Sequence, residues 1–276
     1  MYFEKEIITS RNNQFVKWAS SLSEKKSRKE NGYFLAEGVK LSKEALEVGL
    51  PVDYLIVSEN KKESVLSAVS GFMNSEKYIK TKFVTVSEGV FEKISTEKAP
   101  QGVISVIKHL DFFRDMDIIY KEEFFLKPEE KAIFLFSLRD PSNLGAVIRS
   151  SVAFGIDHII LSDDCADIYS PKTVRSAMGS IYRVKVTTVK DVSSFIKAAQ
   201  ENSRRVFAAE LSERAVSLHD VGLAGSDIVM IGNEGHGIDP EISALCDGSV
   251  YIPISKKTES LNASVAAAIF MWEQSK

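Results

Sequence analysis

Three stretches of the chain place polar side chains of catalytic type where apolar runs end. In RDPSNLGAVIRSSVAFG (139–155), an apolar strand runs into Asp140-Pro141-Ser142-Asn143, a turn rich in helix-starting residues, and then into a helix. Arg149 shares a helix face with Gly145 and Ala153, four residues away on either side, and these small neighbours leave its guanidinium room to meet a ligand. In VMIGNEGHGID (229–239), a strand ends at Gly232 and a glycine-rich loop carries Asn233 and Glu234. Three glycines in six residues permit positive φ and close backbone approach. In YIPISKKTESLNASVAAAIFMW (251–272), Ile252 and Pro253 lead through a polar loop to Ser260-Leu261-Asn262, which opens an Ala-rich helix. A Ser and an Asn there can cap the helix or hydrogen-bond a ligand, and both roles stay open. For Arg149 the alternative is a solvated helix face.

Several chemistries are absent. No GxGxxG follows a strand and no GxxxxGK[ST] occurs; Gly232, Gly235 and Gly237 have the wrong spacing for a dinucleotide turn. There is no GxSxG elbow, HExxH or CxxC, and the four histidines show no ligand spacing, so no metal is expected. Two cysteines are too few for a disulfide framework. The start, MYFEKEIITS, lacks a basic-then-apolar signal region, and the sequon at Asn262 is read as chance. The longest apolar run, Val265 to Trp272, is too short to span a bilayer, so no membrane is expected and the cytoplasm is the simplest location.

These segments must be held by a framework, and 276 residues with 44% hydrophobic and 26% charged residues describe an ordinary globular protein of one large or two modest domains. Residues 12–22 carry Phe15, Trp18, Ala19 and Leu22 at helical spacing. Strands at 32–38, 52–58, 82–87 and 102–108 alternate with helices at 39–49, 64–72 and 88–94, which predicts a small α/β domain with a partly parallel sheet over 1–110. Residues 111–130 are densely charged without a clean period and read as a linker. A second α/β series fills 131–276, with strands at 132–138, 158–162, 183–188, 205–209, 227–231 and 249–252. Its helices fall at 144–154, 171–177, 191–203, 239–245 and 261–274. Near-continuous apolar strands of this kind belong to a parallel sheet covered on both faces.

Net charge is −3, divided as +3 over residues 1–110 and −6 over 111–276. Lys25, Lys26, Arg28 and Lys29 concentrate the positive charge, which fits a phosphate-binding module joined to an acidic one. A solvated helix face explains the same residues, and charge alone leaves the two readings open.

In order along the chain, N-x-G-x-x-x-R (143–149), G-N-E-G-x-G (232–237) and I-P-x(6)-S-L-N-x-S (252–264) resemble the three motifs of the SpoU (TrmH-like) ribose methyltransferases of the SPOUT superfamily. VRSAMGSIYRV (174–184) resembles a stretch usual between the first two. Upstream, S-R-N-N-Q-x-V-K (10–17) and F-L-A-E-G-V-K-L-x-x-E-A-L (34–46) resemble that family's substrate-binding domain. The resemblance implies a C-terminal parallel-sheet domain with a deep trefoil knot, an exception to unknotted topology, behind a ribosomal-protein-like RNA-binding domain. It implies S-adenosylmethionine as cofactor, no metal, and a homodimer formed through helices at the first and last motifs. Cofactor contacts carry over to Gly232, Ile252 and Leu261, with Asn233 beside them. Asn143, Arg149, Glu234, Ser260 and Asn262 carry over as the catalytic and substrate-positioning set. The implied reaction is methyl transfer to a ribose 2′-hydroxyl in structured RNA, ribosomal RNA ahead of transfer RNA. A silent RNA-binding or ribosome-assembly factor of the same fold is the alternative. The chain departs from the family in the third motif, where Ile254 replaces the usual methionine and Lys256 the usual glycine.

Overall fold

The computed structural model describes residues 1–4, 6–233 and 235–276. In chain order the first elements are β1 (Tyr2–Phe3), α1 (Gln14–Ser21), α2 (Lys25–Asn31), β2 (Tyr33–Glu37), α3 (Val39–Glu47), β3 (Val52–Ser58) and α4 (Lys62–Val69). Next come β4 (Lys82–Val86), α5 (Glu88–Ile94), β5 (Val103–Lys108), β6 (Phe113–Met116), β7 (Ala132–Leu135), α6 (Pro141–Ala153), β8 (His158–Ser162) and α7 (Pro171–Ala177). The last are β9 (Lys185–Val189), α8 (Val192–Glu201), β10 (Val206–Ala209), β11 (Ala215–Ser217), β12 (Ile228–Ile231), α9 (Pro240–Leu245), β13 (Gly248–Tyr251) and α10 (Ala263–Gln274). They divide into two compact units, Met1–Leu110 with Asp167–Tyr182, and Asp111–Ala166 with Arg183–Lys276.

The first unit holds a mixed sheet of order β1-β4-β3-β5-β2, in which β5 runs antiparallel to both its neighbours. Asn13 caps α1 by accepting from the Phe15 N–H. The apolar stripe of α1 then buries Val16, Ala19 and Leu22 against Leu35, Ile56, Val84 and Val106 of the sheet.

Segment 167–182 returns to this unit. Asp167 pairs with Arg28, and the Tyr169 ring stacks on His109 at 4.2 Å. The expected helix at 171–177 forms as α7, capped by Ser170 and led by Pro171, and it packs against β2.

The second unit is built on an eight-stranded sheet of order β11-β13-β10-β12-β7-β8-β9-β6, and every pairing in it is parallel. β7, β8 and β12 are buried at every residue, as near-continuous apolar runs require. Residues 111–130 carry structure that the charge pattern hid. β6 pairs with β9 at the sheet edge, and Ile119 and Leu126 enter the core beside Phe134 and Phe195. An exposed edge strand reading FRDM has no alternation to betray it.

Candidate active site at the carboxyl edge of the parallel sheet

Register decides where the site lies. Ala209 of β10 stands opposite both Ile231 of β12 and Val250 of β13, so the loops leaving these three strands emerge level at one edge. Open parallel sheets bind ligands at this edge. A cavity of about 230 Å³ opens there.

Gly232 and Asn233 line the cavity from the loop after β12, and Ile252, Ser260 and Leu261 from the segment between β13 and α10. The sequence placed these five residues in two separate motifs, and the fold brings them around one space. Glycine is required at 232: a Cβ there would stand 2.5 Å from the Gly237 carbonyl carbon and 2.7 Å from its oxygen. The loop folds back on itself at that point, with the Asn233 and Gly237 backbones exchanging hydrogen bonds of 3.0 and 2.9 Å. The Asn233 side-chain oxygen accepts from the Gly235 and His236 N–H groups, which aims its amide nitrogen at the Ser137 carbonyl, 2.8 Å away. Glu234, expected in the catalytic set, lies outside the described residues.

Two acidic residues of the lining, Glu210 and Glu259, were given no role by the motif reading. Glu210 directly follows β10, so the rule that sites gather where parallel strands end would have found it. Burial pushes its pKa up, but hydrogen bonds from the Ser249 and Ser243 hydroxyls and the nearby Arg214 outweigh this and hold the carboxyl below the usual range. Among the described residues the cavity lining includes no Lys, Arg or His. Two carboxylates within apolar walls suit a ligand carrying positive charge and disfavour a polyphosphate.

Asn143 and Asn262 meet. Asp140 caps α6 by accepting from the Ser142 N–H at 2.6 Å, with Pro141 at the first helical position, and this sets Asn143 in the first turn. Asn262 caps α10, its oxygen accepting from the Ser264 and Val265 N–H groups, while its amide nitrogen donates to the Asn143 oxygen at 3.1 Å. Of the two roles left open by the sequence, the cap is formed, and the amide nitrogen makes a contact with Asn143 that the sequence did not anticipate. Arg149 stands exposed on α6 and does not line the cavity. Among the described residues its guanidinium has no hydrogen-bond or ion-pair partner.

A second network fastens these loops. Ser137 holds a positive φ of 54° after β7. Its N–H donates to Ser162 Oγ at 2.8 Å, its hydroxyl to Asp164 at 2.6 Å, and its carbonyl accepts from Asn233. Arg139 donates to the same Asp164 oxygen at 3.2 Å. Burial opposes ionisation of Asp164, but the Ser137, Ser162 and Arg139 donors hold its pKa low. No sequence signal marks Ser137, because nothing in the residue type announces a left-handed backbone.

The basic cluster divides. Lys25, Lys26 and Lys29 are exposed on α2, whereas Arg28 is buried. Its guanidinium donates to the Leu22 and Ser23 carbonyls at the end of α1 and pairs with Asp167. It is a structural residue of the first unit and is not available to RNA, contrary to its place in the sequence-derived set.

Known proteins resemble this chain over nearly its whole length. The model of the SpoU rRNA Methylase family matches residues 130–272, and that of the MRM3-like substrate binding domain matches 13–105. The chain is 29% identical to the 23S rRNA (guanosine(2553)-2′-O)-methyltransferase RlmP of Bacillus subtilis, over 96% of this chain and 97% of that one. It is 28% identical to the 23S rRNA (uridine(2479)-2′-O)-methyltransferase of Streptomyces viridochromogenes, over 96% and 90%. The AdoMet-bound rRNA methyltransferase of Sinorhizobium meliloti superposes with a TM-score of 0.79 at 26% identity, covering 98% of this chain and 97% of that one. With one family model spanning the cavity, both asparagines and more than half of the sequence, the chain belongs to the SpoU rRNA methylase family.

Proposed function

We propose that this protein transfers a methyl group from S-adenosylmethionine to a ribose 2′-hydroxyl of ribosomal RNA. The observation that carries the reading is the convergence of Gly232, Asn233, Ile252, Ser260 and Leu261 on one cavity beside the Asn143–Asn262 pair. The cavity's chemistry fits the cofactor. Ile252, Leu261 and Phe270 offer apolar walls, and Glu210 and Glu259 supply negative charge for a sulfonium-bearing ligand. When bound, S-adenosylmethionine supplies an electrophilic methyl group.

The chain's own residues then position and stabilise. The Asn143–Asn262 bond fixes α6 against α10, so Arg149 is presented from a helix of set orientation. Arg149 stays charged at any ordinary pH and cannot act as a base. It clamps a phosphate next to the target ribose and faces the charge that develops on the 2′-oxygen. As the new C–O bond forms and the S–CH3 bond of the bound cofactor breaks, leaving a neutral thioether, the 2′-hydroxyl proton passes to Glu234 or to a phosphate oxygen of the RNA.

Residues 1–110 supply RNA selection in this reading, and residues 131–276 the knotted methyltransferase domain. The protein acts in the cytoplasm as a homodimer. Dimerisation is supported by a shallow groove where α6 and α10 meet, lined by Ala146, Phe154, Val265 and Trp272, the last two exposed by 47% and 50%. The test is to map 2′-O-methyl sites in total RNA with and without the gene, alongside calorimetry with S-adenosylmethionine. A methyl site that vanishes with the gene is the expected result. Cofactor binding with no site lost would favour a silent assembly factor.

A further inference from the structure

Four aromatic side chains of the first unit meet at its surface. Phe15 and Trp18 come from α1, Tyr33 from the start of β2 and Tyr54 from β3. The Trp18 ring lies 5.7 Å from Phe15, 5.6 Å from Tyr33 and 5.5 Å from Tyr54. All four are half-buried and pack at the margin of the core between α1 and the sheet. Strand register explains the grouping. Tyr33 stands opposite Lys108, and Tyr54 opposite both Val106 and Lys82, so all of them share the sheet face that α1 covers.

The edge of an apolar core calls for no cations, yet two lysines stand here. The Lys82 ammonium lies 5.5 Å from the Tyr54 ring centroid and has no acidic partner among the described residues. Lys108 lies 3.8 Å from Asp53, which also accepts the Tyr33 hydroxyl at 2.6 Å. The polar tips of the rings are tied down. The Trp18 indole N–H donates to Asn31 at 3.0 Å, and Asn31 is the last residue of α2, the helix bearing exposed Lys25, Lys26 and Lys29. Burial and the bond to Asp53 push the Tyr33 pKa up to about 12, so its hydroxyl remains a donor. Fixed rings beside ammonium groups are complementary to bases with free π-faces joined by phosphates.

We propose that Phe15, Trp18, Tyr33 and Tyr54 form a stacking platform for unpaired bases of the RNA substrate, with Lys82 beside it to meet a neighbouring phosphate. The proposal rests on the reading of the chain as an RNA methyltransferase and specifies that the recognised feature is single-stranded.

Binding of a 12-nucleotide oligoadenylate and a 12-base-pair RNA duplex by the full chain provides the test. The single strand should bind more tightly. Trp18→Leu keeps apolar volume but removes the π-face; stacking contributions measured elsewhere correspond to a loss of roughly 5- to 150-fold. The salt dependence should not change, and Trp18→Phe should restore most of the affinity. Equal affinity of Trp18→Leu and the parent, or preference for the duplex, overturns the platform. In a Trp272→Phe background Trp18 is the sole tryptophan, and oligoadenylate should quench it; unchanged emission at saturation also overturns the proposal, without any risk that a disrupted core confuses the answer. Methyl transfer to ribosomal RNA by the parent chain is measured in parallel. Transfer with an insensitive Trp18 defeats the platform alone, whereas absent transfer defeats the functional reading while the oligonucleotide arms still decide the platform.

Discussion

The side-chain amide of Asn262 donates to the Asn143 oxygen at 3.1 Å, joining residues 119 positions apart at the first turns of two packed helices. Because the Asn262 oxygen is occupied by the Ser264 and Val265 N–H groups, only its nitrogen can face Asn143. One side chain thus caps a helix with one end and joins two motifs with the other.

These two roles can be separated by substitution. Asn262→Asp retains the capping oxygen and removes the donor, whereas Asn262→Ala removes both. Loss of the cap should lower stability by about 1 kcal/mol in the Ala variant, with little change in the Asp variant. Methyl transfer should fall by at least tenfold in both. Full activity of Asn262→Asp would show that the bridge to Asn143 is dispensable and that the cap alone matters.

Ser137 adopts a backbone conformation that glycine tolerates better, and it does so while contacting Asp164 and Asn233. Ser137→Ala should be destabilised by about 1 kcal/mol through loss of the hydroxyl bond. Ser137→Gly loses the same bond but relieves a left-handed strain of about 1–2 kcal/mol, so urea melts should place it near the parent. If Asp164 and Ser137 hold Asn233 in place, both variants and Asp164→Ala should weaken S-adenosylmethionine binding by calorimetry. Unchanged cofactor affinity in all three would confine this network to stability.

The basic residues of α2 should behave as two classes. Lys25→Ala, Lys26→Ala and Lys29→Ala combined should lower the logarithmic salt slope of RNA binding by about 2, at about 0.7 per phosphate contact with single strands. Arg28→Ala should leave the slope alone. Instead it strips a buried partner from Asp167 and from two carbonyls, at about 3 kcal/mol. A slope unaffected by the triple change would make the three lysines a solvated face.

The same helix shows where sequence reading stops. KKSRKEN has no apolar period, and α2 is fixed through Arg28 to Asp167, 139 positions away, a partner that no local pattern reveals. Ser137 and β6 were hidden for related reasons, since a strained serine and a polar edge strand depend on tertiary neighbours. By contrast, the buried strands β7, β8 and β12 announce themselves by unbroken apolar runs, and Asp140-Pro141 and Asn262 announce their helices by capping chemistry. The motif glycine at 232 was legible as a need for close approach, although what approaches it, the Gly237 carbonyl, was not.

Arg149 is exposed on α6, and among the described residues its guanidinium has no hydrogen-bond or ion-pair partner. A fork-shaped clamp on a phosphate uses two parallel N–H donors, which a lysine cannot reproduce. Arg149→Lys should therefore lose nearly all methyl transfer, by about 100-fold or more if two charge-assisted bonds are each reduced. Its melting temperature should match the parent's. Substantial activity in the lysine variant would assign Arg149 a point-charge role.

His158 gives the second unit a pH dependence of definite sign. Its imidazole is buried at the start of β8, with Nε2 2.8 Å from Thr187 Oγ1. Burial pushes the pKa down from 6.5 to about 4, against the pull of Glu130. Between these values the unfolded chain binds a proton that the folded chain refuses. Stability is therefore full above pH 6.5 and declines as pH falls towards 4. Asp164 and Glu210, held below the ordinary carboxylate range, add their own loss at more acidic pH. Urea melts at pH 7.5, 6.0 and 5.0 should show the decline, and His158→Gln should reduce its slope by close to one proton across that window. A slope that persists unchanged in His158→Gln would mean that some other group takes up the proton on unfolding.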